Sequence, residues 1–121
     1  MKLILVVDDD EHLRRMVVRL LALHDIAAIA AANTDDVLKT LASGKVDAVL
    51  LDIVLGMENG WETMRLIREK SAVPVVMMSG AYMDEDARKD AAAIGAQAIL
   101  QKPFESHELL ACLNGLFEPR R

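Results

Sequence analysis

The chain has 121 residues, the size of one globular domain. Hydrophobic residues make up 53% of it and charged residues 27%, a composition that excludes an intrinsically disordered chain. Nineteen acidic residues against fourteen basic ones give a net charge of −5. This acidic balance argues against direct binding of nucleic acid, which depends on Lys and Arg to neutralise phosphates.

Targeting and membrane signals are absent from the sequence. The longest uncharged apolar stretches are far shorter than the roughly 20 residues that a membrane helix needs. The apolar start runs straight into an acidic stretch, Asp8 to Glu11, without the cleavage site of a signal peptide. The single cysteine, Cys112, cannot form an internal disulfide. We therefore expect a soluble cytoplasmic protein with no membrane partner.

The hydrophobic pattern alternates between strands and helices along the chain. Continuous apolar runs are typical of strands buried on both faces, and apolar residues spaced by three and four predict helices. The predicted elements are, in order, strand 3–7, a helix over 13–21, a weaker strand 26–32, helix 34–42, strand 46–51, a loop 54–60, a helix carrying Trp61, Met64 and Ile67, strand 75–78, helix 84–94, strand 96–100 and a last helix capped by Ser106. They predict a doubly wound α/β fold with a five-stranded parallel sheet. One domain covers 1–117, and 118–121 is a tail or linker stump.

Polar residues follow four of the five predicted strands. They are Asp8 and Asp9 after the first strand, Asp52 after the third, Ser79 after the fourth and Lys102 after the fifth. Because such sheets bind ligands beyond the carboxyl ends of their strands, these side chains should converge on one edge. Taken singly, each has an ordinary explanation, as a helix cap for Asp8 to Asp10 or as a turn residue elsewhere. Their joint placement indicates a functional site.

The residue types at this edge point to phosphate chemistry. Clustered carboxylates repel one another unless a cation lies among them, and oxygen ligands without His or Cys favour Mg²⁺, with Mn²⁺ as an alternative. Both Gly-rich phosphate-binding motifs are absent, so nucleotide binding is unsupported. The remaining option is a carboxylate that itself accepts a phosphoryl group. Asp52 is the central candidate, with Lys102 as the fixed cation and Ser79 as a hydroxyl for the phosphoryl oxygens.

Five short segments occur in order along the chain. They are Ile4 to Glu11 (ILVVDDDE), Leu51-Asp52-Ile53 with Leu55, Asn59-Gly60, Pro74 to Gly80 (PVVMMSG) and Lys102-Pro103-Phe104. Together they resemble the receiver domain of two-component response regulators. The resemblance implies a flavodoxin-like (βα)5 fold with strand order 2-1-3-4-5. It also implies that Asp52 is the phosphoacceptor, that Asp9 and Asp52 bind Mg²⁺ directly, that Asp8 binds it through water, and that Val54 offers its backbone carbonyl.

The same resemblance implies a switch. Ser79 would turn toward the phosphoryl group and Lys102 would pair with it, with a cis peptide bond before Pro103. The inward movement of the Ser79 loop would then alter the face made by the fourth helix, fifth strand and fifth helix.

The resemblance also implies partners. The phosphoryl donor would be a histidine kinase or phosphotransfer protein, and the recipient of the signal a downstream output protein or a missing output domain. A homodimer through the fourth helix, fifth strand and fifth helix is implied as well. The domain would not be an enzyme beyond catalysing its own phosphorylation and dephosphorylation.

The sequence departs from the family pattern at three positions. Ile99 stands where an aromatic residue is usual, Gly56 where proline is favoured and Asn59 where aspartate is frequent. A branched aliphatic side chain has no ring to swing, so the usual coupling between hydroxyl and aromatic residue is not expected here. Gly56 should make the loop beside Asp52 more mobile.

Two other functions remain open from the sequence. A phosphorylation-independent interaction module of the same fold would be favoured by a failure to bind Mg²⁺. A Mg²⁺-dependent phosphohydrolase acting through Asp52 is disfavoured, because Val54 stands where a second aspartate would serve as general acid and base.

Overall fold

The computed structural model describes residues 2–117, so the tail predicted for 118–121 lies outside the described residues. Strands and helices alternate, and the long elements match the predicted ones to within two residues at each end. They are β1 (Leu3–Val7), α1 (Glu11–Ala22), β2 (Ala27–Ala31), α2 (Thr34–Leu41), β3 (Ala48–Asp52), β4 (Val54–Leu55), β5 (Glu58–Asn59), α3 (Gly60–Lys70), β6 (Val75–Ser79), α4 (Glu85–Ala93), β7 (Ala98–Gln101) and α5 (Ser106–Phe117).

Five strands form one parallel sheet in the order β2-β1-β3-β6-β7. This is the predicted order 2-1-3-4-5, once the short strands β4 and β5 are set aside. From β1 the chain first adds a strand on one side and then, at β3, adds the rest on the other side. The strand order therefore reverses between β1 and β3, and a crevice opens beyond their carboxyl ends.

Helices cover both faces of the sheet, and alternate residues of each strand point to opposite layers. Ile4 and Val6 of β1 pack with α1 and α5, whereas Leu5 and Val7 pack with α2, α3 and α4. All four side chains are fully buried. This double cover explains why the inner strands are continuous apolar runs without polar alternation. Among residues 2–117, no helix combines the length and the apolar character needed to cross a membrane.

Two local predictions were wrong. The segment 54–60 is not an open loop, because β4 and β5 pair in an antiparallel hairpin that turns at Gly56, whose φ is +59°. Ser106 is the first residue of α5 and not its cap. Glu105 takes the cap position: its carbonyl accepts the N–H groups of Glu108 and Leu109, and its own N–H donates to the Glu108 carboxylate at 2.9 Å.

The edge of the sheet opposite the crevice is fastened by one arginine. The Arg68 guanidinium donates to the carbonyls of Val73 and Gly95, both at 2.7 Å, and so ties the end of α3 to the loop that follows α4. Gln97 strengthens this edge, since its side-chain oxygen accepts the N–H of Val75 at 2.8 Å and a second guanidinium N–H at 3.2 Å. Burial lowers the pKa of Arg68 from its ordinary value.

Gly60 fixes the start of α3 directly against the end of β3. Its N–H donates to the Ile53 carbonyl at 2.7 Å. A Cβ at this position would lie 2.3 Å from the Asp52 carbonyl oxygen and 2.6 Å from the Ile53 Cα, and both of these are backbone atoms that no rotamer change can move. Only glycine therefore allows this close approach.

We predict that Gly60→Ala lowers the free energy of unfolding by about 1–3 kcal/mol, because the added methyl group forces backbone apart next to Asp52. Gly115→Ala is the matched control, since nothing lies within 4 Å of a Cβ on that α5 residue. The control should gain about 0.5–1 kcal/mol from helix propensity. Urea unfolding of both variants measures the difference, and equal stabilities would contradict the prediction.

Candidate functional site

The crevice at the carboxyl edge of the sheet collects every site residue predicted from the sequence. Neighbouring strands are in register there, with Asp52 of β3 opposite Met78 and Ser79 of β6 opposite Gln101 of β7. The result is an open cleft of about 660 Å³. The six predicted residues that line it are Asp8, Asp9, Asp52, Val54, Ser79 and Lys102.

Lys102 bridges two buried carboxylates. Its ammonium donates to Asp8 Oδ2 at 2.6 Å and to Asp52 Oδ2 at 3.0 Å. The Asp8 side chain is 1% exposed, the Asp52 side chain is 8% exposed and the Lys102 side chain is 22% exposed. Removing one partner of such a pair destabilises the fold, since it leaves an uncompensated buried charge.

The surroundings of Lys102 keep its ammonium charged. Burial disfavours the charged form, but the hydrogen bonds and charges of Asp8 and Asp52 outweigh it and raise the pKa of Lys102 above its ordinary value. The lysine is therefore a fixed positive charge throughout the neutral pH range.

The remaining oxygens of the two buried carboxylates are held by backbone. Asp8 Oδ1 accepts the N–H of Asp10 at 2.9 Å, and Asp52 Oδ1 accepts the N–H of Val54 at 3.2 Å. Val54 itself begins the hairpin, and its side chain is largely exposed. Both carboxyl groups are thus oriented by the loops that follow their strands.

The three consecutive aspartates after β1 have different environments. Asp10 caps α1, since its side chain accepts the N–H groups of His12 at 2.9 Å and Leu13 at 3.3 Å. The ordinary explanation therefore holds for Asp10 alone. Asp8 points into the cleft, whereas Asp9 is exposed at its rim, beside Gly56 of the hairpin.

The carboxylate cluster fits a divalent cation. One oxygen from each of Asp8, Asp9 and Asp52 lies within 4.8 Å of the others. Opposite ligands of an octahedral Mg²⁺ are about 4.2 Å apart, so a small closure around one ion is enough. With Lys102 counted, the cluster keeps two formal negative charges, which a divalent cation neutralises. An all-oxygen donor set of this kind suits Mg²⁺ or Mn²⁺.

The Ser79 hydroxyl is turned to its own loop. It donates to the Ala81 carbonyl at 2.7 Å and accepts the Ala81 N–H at 3.1 Å. Ser79 is 4% exposed, yet it lines the same cleft as Asp52. In this structure the hydroxyl therefore makes its hydrogen bonds within the turn and none to the carboxylate cluster.

Two residues at the cleft were missed by sequence reasoning. Trp61, predicted only as a packing residue of α3, lines the cleft together with the carboxylates. Gln101 contacts the loop after Ser79 through its side-chain amide. A signal for Gln101 was present, because it is a polar residue at the end of an otherwise apolar strand and directly precedes Lys102.

The peptide bond between Lys102 and Pro103 is cis, as the resemblance implied. Ile99 lies two residues before Gln101 and is packed, partly buried, in the layer of α2, α3 and α4.

Known proteins share this fold and sequence pattern. Residues 4–114 match the sequence model of the family described as the response regulator receiver domain. Regulatory protein VirG of Agrobacterium fabrum is 37% identical over 111 residues, which cover 92% of this chain and 44% of VirG. Chemotaxis protein CheY4 of Vibrio cholerae has a TM-score of 0.89 at 25% identity, covering 97% of this chain and 99% of CheY4. The BeF3-activated N-terminal receiver domain of Klebsiella pneumoniae RstA has a TM-score of 0.87 at 25% identity, covering 97% of this chain and 100% of the RstA chain.

These likenesses extend over nearly the whole of the present chain, although the chain spans less than half the length of the VirG relatives that it matches. The matched segment 4–114 contains all six residues of the cleft that the sequence predicted. The chain therefore belongs to the response regulator receiver domain family of two-component signalling.

Proposed function

We propose that this receiver domain is a phosphoacceptor. It takes a phosphoryl group onto Asp52 from a histidine kinase or a phosphotransfer protein, with Mg²⁺ as cofactor, and then changes a protein-binding face. The observation that carries the proposal is the Lys102 ammonium held between Asp8 and Asp52 in an open cleft, with Asp9 beside it. A purely structural ion pair needs neither the additional carboxylate nor access from solvent.

The transfer follows from the groups at the cleft. A carboxylate oxygen of Asp52 forms a bond to phosphorus, the bond between phosphorus and the donor breaks, and the donor leaves with that electron pair. Asp9, Asp52 and the Val54 carbonyl would hold Mg²⁺ directly and Asp8 would hold it through water, and the ion would supply positive charge for the phosphoryl oxygens. Lys102, which already pairs with Asp8 and Asp52, supplies a second and permanent positive charge.

The phosphoryl group then changes the balance of charge in the cleft. It brings about −1.5 to −2 charges and additional acceptor oxygens. The Ser79 hydroxyl can donate to these oxygens only by leaving the Ala81 carbonyl, which draws the loop inward. Because this loop leads into α4 and Ser79 pairs with β7, the face made by α4, β7 and α5 is the surface that responds.

The proposed function also defines the partners and the setting. The donor is a histidine kinase or phosphotransfer protein, the domain acts in the cytoplasm, and the signal passes to an output protein or to an output domain of a longer chain. A homodimer through α4, β7 and α5 remains a prediction from the resemblance. The domain catalyses only its own phosphorylation and dephosphorylation.

We predict one phosphoryl adduct when the protein is incubated with acetyl phosphate and Mg²⁺, measured by intact-mass spectrometry. The adduct should disappear without Mg²⁺ and in Asp52→Asn, which keeps the shape of the side chain but removes its charge and nucleophilicity. A folded wild-type chain that gives no adduct, while a receiver of known activity is labelled in parallel, would favour the phosphorylation-independent interaction module instead.

Asp9 and Asp10 offer a matched test of the metal site. The only tryptophan of the chain, Trp61, lines the cleft, so its fluorescence should report Mg²⁺ binding there. We predict that Asp9→Asn weakens Mg²⁺ at least about tenfold, because a carboxylate of the cluster is lost. Asp10→Asn should bind Mg²⁺ like the wild type, since asparagine is an equally good helix cap. Equal weakening in both variants would contradict this assignment.

We predict that Lys102→Met lowers the free energy of unfolding by about 3–5 kcal/mol without Mg²⁺ at neutral pH, because Asp8 and Asp52 lose their common partner. The loss should shrink when Mg²⁺ is added. Lys89→Met is the control: its partner Glu85 lies 3.4 Å away, and both side chains are more than 70% exposed. An exposed pair contributes little, so this variant should unfold like the wild type in urea. A Lys102→Met chain as stable as the control would show that the cluster needs no internal cation.

A further inference from the structure

The side-chain amide of Gln101 joins the end of β7 to the loop after β6. Its Nε2 donates to the Ser79 carbonyl at 2.9 Å and to the Ala81 carbonyl at 3.0 Å. Both partners are carbonyl oxygens, which only accept, so the amide nitrogen must be the atom that faces them. Gln101 is the register partner of Ser79 and directly precedes Lys102, so this contact lies beside the cleft that Ser79 and Lys102 line.

The contact fastens both ends of the turn Ser79-Gly80-Ala81. The Ala81 carbonyl accepts two donors, the Gln101 amide and the Ser79 hydroxyl. The Ser79 carbonyl also accepts two, the same amide and the Lys102 N–H at 2.7 Å. The turn is thereby held in the arrangement in which the hydroxyl of Ser79 serves its own loop and not the carboxylate cluster.

We propose that Gln101 is a positioning residue for Ser79, which holds the 79–81 turn in its resting arrangement and so sets how readily the cleft accepts a phosphoryl group. The inference rests on the proposed function of Asp52. Ile99, on the same face of β7, has no polar group to offer this turn. Among the described residues of β7, the amide of Gln101 is the side-chain group that bonds to the turn.

The direction of the effect follows from the count of hydrogen bonds. When Ser79 turns toward a phosphoryl group and the turn moves inward, the Ala81 carbonyl leaves the hydroxyl and moves away from the Gln101 amide. The hydrogen bond from the amide to the Ala81 carbonyl therefore favours the resting state. Removing the amide shifts the population toward the arrangement that binds the phosphoryl group.

The test uses beryllofluoride, which mimics a phosphoryl group on a carboxylate, with Mg²⁺ and Trp61 fluorescence as the readout. Gln101→Met keeps the length of the side chain and removes the donor. Since a net hydrogen bond corresponds to a factor of about two to ten, we expect beryllofluoride to bind about three to ten times more tightly. Gln101→Leu also removes the donor and introduces no charge, so its gain should be similar. The affinity for Mg²⁺ alone should be unchanged in both variants.

Gln97, the only other glutamine of the chain, supplies the control. Gln97→Met deletes the acceptor of the Val75 N–H at the opposite edge of the sheet. It should lower stability in urea and leave the affinity for beryllofluoride unchanged, which separates a positioning role from a general loss of stability.

The outcomes distinguish this inference from the proposed function. Wild-type affinity or weaker binding in both Gln101 variants, with the wild type binding beryllofluoride, would overturn the inference alone. The same gain in Gln97→Met would also overturn it, because the effect would then be one of stability. A wild-type chain that binds Mg²⁺ but no beryllofluoride would overturn the proposed function and the role of Gln101 with it.

Discussion

The requirement that several carboxylates share one edge of the sheet dominates this structure. Asp8 and Asp52 are buried at the ends of neighbouring strands, and without a positive charge between them the two carboxylates would repel each other. Lys102 supplies this positive charge from the end of β7, the edge strand of the sheet. One ammonium does not neutralise three carboxylates, and the chemistry proposed for the cleft uses the remaining negative charge to hold a divalent cation.

The two edges of the sheet are built in different ways. At the amino edge, Arg68 binds backbone carbonyls from two loops with its permanently charged guanidinium. At the carboxyl edge, the loop after β6 is held by neutral hydrogen bonds from Ser79 and Gln101. Neutral bonds of this type have small net free energies and can be exchanged for others. The domain therefore combines one edge suited to rigidity with another suited to rearrangement.

Much of the fold was predictable from the sequence because its signals are periodic. Continuous apolar runs marked the buried strands, and the ends of those strands placed Asp8, Asp52 and Lys102 at one edge. The hairpin of β4 and β5 was not predictable, since strands of two residues carry no period. The different environments of Asp8 and Asp10 were also beyond the sequence, because they depend on the path of one loop.

The role inferred for Gln101 lies at that same limit. A side chain at the end of a strand can reach several backbone groups, and which one it reaches depends on the register between β6 and β7. Composition and spacing do not indicate which backbone group that side chain reaches. The polar character of Gln101 and its place before Lys102 indicate a position of interest, but only the folded structure shows the two carbonyls that it binds.

The long sequence separation of the Lys102 contacts has a consequence for the synthesis of the protein. Lys102 lies 94 residues from Asp8 and 50 residues from Asp52, so the cluster exists only after β7 has joined the sheet. A growing chain on the ribosome, or one truncated before β7, contains the aspartates without the lysine that orders them. The cluster is therefore a test of completeness for the sheet, since a chain that stops before Lys102 lacks the cation that joins Asp8 to Asp52.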